Sequence, residues 1–133
     1  MTGGFVYLDA SAIVKLVVEE PETPALRSVL RDRPHRVSSA IVLVEVHLAA
    51  ARRSPPPPPA RSDMILAGLT LIPVDQTTLE RAAGLGWYGL RTLDAIHLAT
   101  ALSVGKDLDS FIAYDLRLLA AAQASGVHTE QPH

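Results

Sequence analysis

Apolar positions along the chain fall into two alternating regimes. Short runs rich in strand formers, FVYLD (5–9), RVSS (36–39), TLIPV (70–74), SFIAYD (110–115) and VHTE (127–130), predict strands. Between them the apolar spacing becomes helical, in SAIVKLVVEE (11–20), TPALRSVLRD (23–32), SAIVLVEVHLAAARR (39–53), 60–68, DQTTLERAAGL (75–85), 93–104 and LRLLAAAQASG (116–126). Pro21 and Pro24 mark helix boundaries, Asp75 and Thr92 read as N-caps, and Gly68, Gly105 and Gly126 read as helix ends. Strands alternating with helices predict an α/β fold, a three-layer α/β/α arrangement around a mainly parallel central sheet. Connections are expected to be right-handed crossovers through helices on the two sheet faces. No fixed-period repeat is visible, and residues 1–133 are expected to form a single domain.

Composition narrows the function classes. Nearly half of the residues, 48%, are hydrophobic, which argues against disorder. The chain has no cysteine, so disulfide frameworks, thiolate zinc sites and cysteine nucleophiles are excluded. The start, MTGGFVYLD, has neither a basic segment nor a long apolar one, and no apolar stretch reaches membrane-spanning length. A cytoplasmic protein without a membrane partner is expected. The net charge of −2 gives no global attraction to nucleic acid. Arginines do cluster locally, at 27, 31, 33 and 36 and again at 52, 53 and 61. Solubilising helix ends and a local anion-binding patch both remain open for them.

RRSPPPPPAR (52–61) is the one low-complexity stretch. Proline fixes φ and has no N–H to donate, so residues 55–59 predict a stiff extended spacer between two helices.

Four acidic residues carry the chemical interest. Asp94 opens the stretch TLDAIHLATAL (92–102) with His97 three residues on, a spacing that makes the two neighbours on a helix surface. Taken alone, the pair fits a metal site, a catalytic pair or a polar patch. Glu45 sits within AIVLVEVHLAAA, a helix apolar on nearly every face and therefore expected to be buried. No Lys or Arg occurs from 37 to 51, so a buried carboxylate there needs another partner. Asp9 and Asp115 each follow a strand and precede a helix, where an N-cap role is the ordinary one. In open parallel sheets, however, ligands bind at the carboxyl ends of the strands, which is where both would stand. Two unit charges about 4 Å apart repel by roughly 4 kcal/mol at intermediate dielectric, and a helix N-terminus offsets only about 0.3–1 kcal/mol. Converging acids therefore need a divalent cation, and an oxygen-only donor set favours Mg2+ or Mn2+ over zinc.

With these segments in view, the chain resembles a known family. YLDASAIVKL, SSAIVLVEV, RTLDAIHLATAL and FIAYDLRLLAAA, in this order and at these separations, resemble a PIN-domain ribonuclease, more narrowly a VapC-type toxin of a type II toxin–antitoxin pair. The resemblance spans almost the whole chain. It implies a PIN-like nuclease domain whose acidic catalytic and metal-binding site falls on Asp9, Glu45, Asp94 and Asp115. It further implies Mg2+ or Mn2+ as cofactor, RNA as substrate, a cognate VapB-type antitoxin as inhibitor, and a homodimer. Asp9 and Asp94 are expected as principal ligands, with Glu45 and Asp115 completing the cluster. Two positions depart from the family pattern: Ala113 where Ser or Thr is common, and Ala10 directly after the first Asp, although Ser11 is retained. Ser11 is read as a hydroxyl that caps or supports the first acid.

Other motifs point away from rival functions. GLGWYG (84–89) matches G-x-G-x-x-G, but a helix and not a strand is expected before it, against a dinucleotide site. It predicts a flexible loop ahead of the Asp94 helix, with Trp87 or Tyr88 either packed on the body or stacking on RNA bases. The five histidines have no zinc spacing, and His97 is expected to make a hydrogen bond in the core or a dimer interface. Leu16, Val17, Leu26, Val29 and Leu30 form an amphipathic surface for core packing or, by the resemblance, for an antitoxin segment. Two further classes stay open: a catalytically silent PIN-like binding module, and a metal-dependent phosphoesterase acting on DNA or another substrate.

Overall fold

The computed structural model describes residues 4–133. Five strands, β1 (Phe5–Leu8), β2 (Arg36–Ser39), β3 (Thr70–Ile72), β4 (Leu108–Ile112) and β5 (Thr129–Glu130), form one sheet in the order β3-β2-β1-β4-β5. Every recorded pairing is parallel. Helices α1 (Ala10–Val17) and α2 (Thr23–Leu30) lead from β1 to β2, and α3 (Val42–Ala51) and α4 (Pro59–Ala67) lead from β2 to β3. The long return from β3 to β4 carries α5 (Gln76–Ala83) and α6 (Thr92–Val104), and α7 (Leu116–Ala124) joins β4 to β5.

The two-residue period of the strands builds the three layers. Val6, Leu8 and Ile112 face a core formed with Ile13, Leu26, Val42 and Leu66 of the first four helices. Tyr7, Val37 and Phe111 face the opposite side, against Leu98 and Ala101 of α6 and Leu118 and Ala122 of α7. Helix α5 is farther out, packing Ala82 against Ala95, Ile96 and Ala99 of α6. Tyr7 and Phe111 stack in parallel across the two central strands, 5.2 Å between ring centres.

Chain direction reverses between β1 and β4. From β1 the chain moves to β2 and β3 under one helical layer, then returns past β1 to β4 under the other. Loops leaving the carboxyl ends of β1 and β4 therefore part in opposite directions and open a crevice, the usual ligand position in such sheets.

Several expected elements shift. Helix α3 begins at Val42 rather than Ser39 and is not enclosed: only Val42, Val46 and Ala50 are buried, while Leu43, Val44 and Leu48 stand exposed. Thr92 does not cap α6; it is the first helical residue, and Arg91 holds the cap position without a side-chain bond. Strand β4 starts two residues early and ends at Ile112, where its pairings with β1 and with β5 both end. Pro58 is extended (φ −59°, ψ 140°) and Pro59 starts α4, so the proline run does separate two helices. The apolar residues of α1 and α2 serve the core: Leu16, Val17, Leu26 and Leu30 are buried, and Val29 is partly so. Among the described residues no helix is long and apolar enough to cross a membrane.

Arg61 links two of these helices. Its Nη2 donates to the Leu16 carbonyl at 3.0 Å and its Nε to that of Val17 at 3.4 Å, satisfying the open carboxyl end of α1. Arg61→Met keeps the aliphatic stem and removes both donors. It is expected to lower stability by about 1–3 kcal/mol in urea unfolding, with the circular dichroism spectrum unchanged.

Candidate active site

The crevice at the β1–β4 switch point is where the four acids meet. Asp9 follows β1 directly and caps α1: its Oδ1 accepts from the Ala12 N–H at 3.0 Å and from the Ser11 hydroxyl at 2.7 Å. Asp115 caps α7 in the same manner, its Oδ1 accepting from the Leu118 N–H at 2.9 Å. It stands three residues beyond the end of β4 and not at the strand's last position. The N-cap role leaves room for a ligand role: each cap fixes the carboxylate through Oδ1 and leaves Oδ2 clear of these bonds. Asp94, in the first turn of α6, and Glu45, in the first turn of α3, complete the group. All four line one cleft of about 480 Å³, with Ser11 and His97 beside them.

Ser11 and His97 hold this arrangement. Ser11 donates to Asp9 and accepts from the Tyr114 N–H at 3.0 Å, fastening the exits of β1 and β4 together. His97 is almost fully buried, and both ring nitrogens are engaged, Nε2 with Glu45 Oε1 and Nδ1 with the Tyr7 hydroxyl, each at 2.7 Å. A carboxylate only accepts, so Nε2–H donates to Glu45, and the Tyr7 hydroxyl is the partner of Nδ1. The core hydrogen bond expected of His97 is present. The sequence did not disclose that its partner is the acid 52 positions earlier, on another helix.

Electrostatics mark Asp9 as the strained member. Burial pushes its carboxyl up to about 6, against the partial relief of nearby His97 and of its Ser11 and Ala12 bonds. Asp94 is also raised, first by burial and then by repulsion from Asp115 and Glu45. The donor set is oxygen throughout, and its most buried carboxylate resists ionisation, so the residues fit a hard divalent cation. Asp9, Glu45, Asp94 and Asp115 are the side chains that could hold it. Among the described residues, no three acidic or histidine side chains are already gathered closely enough to grip an ion.

Cations stand at either end of the acidic cleft. One adjoining hollow shares Ala10, Ser11, Glu45 and Leu93 with it and adds Lys15, Arg52 and Arg53. Lys15 and Arg53 are tied to Glu20, and Lys15 also to Glu22, whereas Arg52 is exposed. A second hollow, at the other end, shares Arg91, Asp94 and Asp115 and adds Leu116 and Arg117. Two hollows that carry cations thus adjoin the acidic cleft, with Arg52 lining one and Arg91 and Arg117 the other.

The chain belongs to the PIN-domain family, whose pattern matches residues 6–124. Its relatives there are VapC ribonucleases. Ribonuclease VapC46 of Mycobacterium tuberculosis is 47% identical over 127 residues, covering 96% of this chain and 97% of the relative. Ribonuclease VapC47 of the same species is 35% identical over 131 residues, covering 96% of each. Among solved structures, a toxin–antitoxin complex from Klebsiella pneumoniae superposes with a TM-score of 0.73 at 24% identity, covering 96% of this chain and 98% of that one. The M. tuberculosis sarcin-ricin-loop-cleaving toxin VapC20 gives 0.73 at 17% identity, covering 96% and 99%. These structural likenesses carry the three-layer fold, in agreement with the sequence expectation.

Proposed function

We propose that residues 1–133 work as one nuclease domain, a Mg2+- or Mn2+-dependent endoribonuclease acting as the toxin of a toxin–antitoxin pair in the cytoplasm. The observation that carries this reading is the single cleft lined by Asp9, Glu45, Asp94 and Asp115 at the sheet's switch point. The ribonuclease names of the 47% and 35% identical relatives support the reaction and the substrate.

Asp9, Glu45, Asp94 and Asp115 would hold the metal. When bound, such an ion acidifies water and offsets negative charge on the phosphodiester. The chain's own residues do the rest. Ser11 orients Asp9, and the Nε2–H of His97 orients Glu45. Arg91 at one end of the cleft and Arg52 at the other sit where phosphates flanking the cut bond would lie. Fixed cations beside an acidic centre draw the polyanion in while leaving the acids free for the metal.

A cognate VapB-type antitoxin and a homodimer are the proposed protein partners. The antitoxin complex among the structural neighbours supports the first. The apolar surface of α3 supports a protein contact, because Leu43, Val44 and Leu48 are too exposed for a helix closed off by its own domain.

Matched single-stranded RNA and DNA, with Mn2+ or with EDTA, test the reaction class. RNA is expected to be cut with Mn2+, and EDTA is expected to abolish cutting. Cutting of DNA alone points to a different phosphoesterase, and cutting of neither points to a binding module.

A further inference from the structure

Trp87 is the one tryptophan of the chain, and it is 78% exposed. It lies in the short 3-10 turn Gly86–Tyr88, and its ring stacks on that of Tyr88 with centres 4.0 Å apart and planes 27° from parallel. Tyr88 is partly buried against the core cluster that includes Leu118, so the pair has one anchored ring and one ring offered to solvent. Gly89 (φ +72°) closes the turn in the left-handed region, and its carbonyl accepts from Arg117 Nη1 at 3.4 Å. Arg117 in turn lines the roughly 270 Å³ hollow that shares Arg91, Asp94 and Asp115 with the acidic cleft.

A stacked, outward-facing indole has a specific chemical match when its loop is bonded to Arg117, which shares a hollow with Arg91 and two acids of the cleft. Nucleobases stack on aromatic faces whatever their sequence, and guanidinium groups take the intervening phosphates. A protein partner is the poorer fit, since the loop's other exposed members are Gly84, Gly86 and Gly89, not a continuous apolar patch.

We infer that the loop 84–89 and Arg117 form a nucleotide subsite, in which Trp87 stacks on one unpaired base flanking the cut phosphodiester. A base held this way must be outside a duplex, so the subsite selects single-stranded RNA at that position. The inference rests on the nuclease reading above.

Because the chain has a single tryptophan, its emission reports on this subsite alone. Asp9→Asn protein, expected to bind without cutting, is titrated with a short mixed-sequence single-stranded oligoribonucleotide and with the same sequence as a blunt duplex. Saturable quenching by the single strand, and little by the duplex, is expected. In the cleavage-competent protein, Trp87→Ala is expected to raise KM about 5- to 100-fold with little change in kcat, and Trp87→Phe to recover most of the loss. Normal cleavage alongside unquenched emission, or an unchanged KM in Trp87→Ala, overturns the subsite and leaves the nuclease reading intact. Emission that shifts with protein concentration alone also overturns it, in favour of a second copy covering the indole. Failure of the unaltered protein to cut any RNA overturns the nuclease reading itself.

Discussion

Asp9→Asn is expected to abolish cleavage and, in the same protein, to raise the melting temperature measured in EDTA at neutral pH. Loss of activity follows from removing the most buried carboxylate of the cleft, and at least about a 100-fold drop is expected. The stability gain follows from the sign of its titration. Asp9 has an ordinary value of 3.8 and about 6 in the fold, so between these values the folded chain holds more protons than the unfolded one. Stability therefore falls as pH rises through that window, and above about 6 the folded state carries the whole cost of a buried charge. That cost is roughly 3 kcal/mol for a shift of this size, worth on the order of 5 °C or more in melting temperature. Asparagine keeps the cap on α1, since it accepts from the Ala12 N–H as aspartate does. Two controls separate the effects. The gain should fade as pH falls through about 3.8, below which aspartate becomes protonated in both states. Saturating Mn2+ should raise the melting temperature of the unaltered protein and leave that of the variant unmoved. An Asp9→Asn protein that is less stable than the parent at neutral pH contradicts the electrostatic part of this argument.

His97→Leu has the second largest expected effect. Leucine fills the buried site but removes the donor to Glu45 and the partner of the Tyr7 hydroxyl. Freed from His97, Glu45 no longer has a fixed direction, and cleavage at limiting Mn2+ is expected to fall about 10- to 100-fold. The Mn2+ concentration for half-maximal rate should rise at the same time, which a merely looser fold would not produce. The stranded Tyr7 hydroxyl should cost a further 1–3 kcal/mol or so of stability, part of which Tyr7→Phe recovers in the double variant. His97→Gln retains an N–H directed at Glu45 and should sit between the two. An unaltered metal dependence in His97→Leu removes His97 from any positioning role.

The sheet and its two cores were legible from period alone, because Val6 and Leu8 alternate with Tyr7 and each side found its own helical layer. Asp75 was legible as a cap for a local reason: its Oδ1 accepts from the Thr78 N–H three residues on. Features set by distant chain were not legible. The apolar run SFIAYD gives no sign that β4 stops at Ile112, where its pairings with both neighbours, β1 and β5, end. Helix α3 is apolar on nearly every face, and a sequence pattern cannot separate a face covered by its own domain from one left for another chain. The bond from His97 to Glu45 joins two helices, and only the fold brings them together. At the site, the convergence of the four acids on one cleft and the Arg52–Arg53 cluster were legible, whereas the pairing of Arg91 with Arg117 was not, because the two lie far apart in sequence.

Cleavage of single-stranded RNA across a Mn2+ titration, by the unaltered protein and by Asp94→Asn side by side, is the most direct trial of the four-acid site. Asp94 is chosen because it shares the cleft with all three other acids and caps no helix. The expected result is saturable, EDTA-sensitive cutting by the unaltered protein and none by the variant at any Mn2+ concentration that saturates the parent. Cutting that persists in EDTA, or proceeds undiminished in Asp94→Asn, would contradict it.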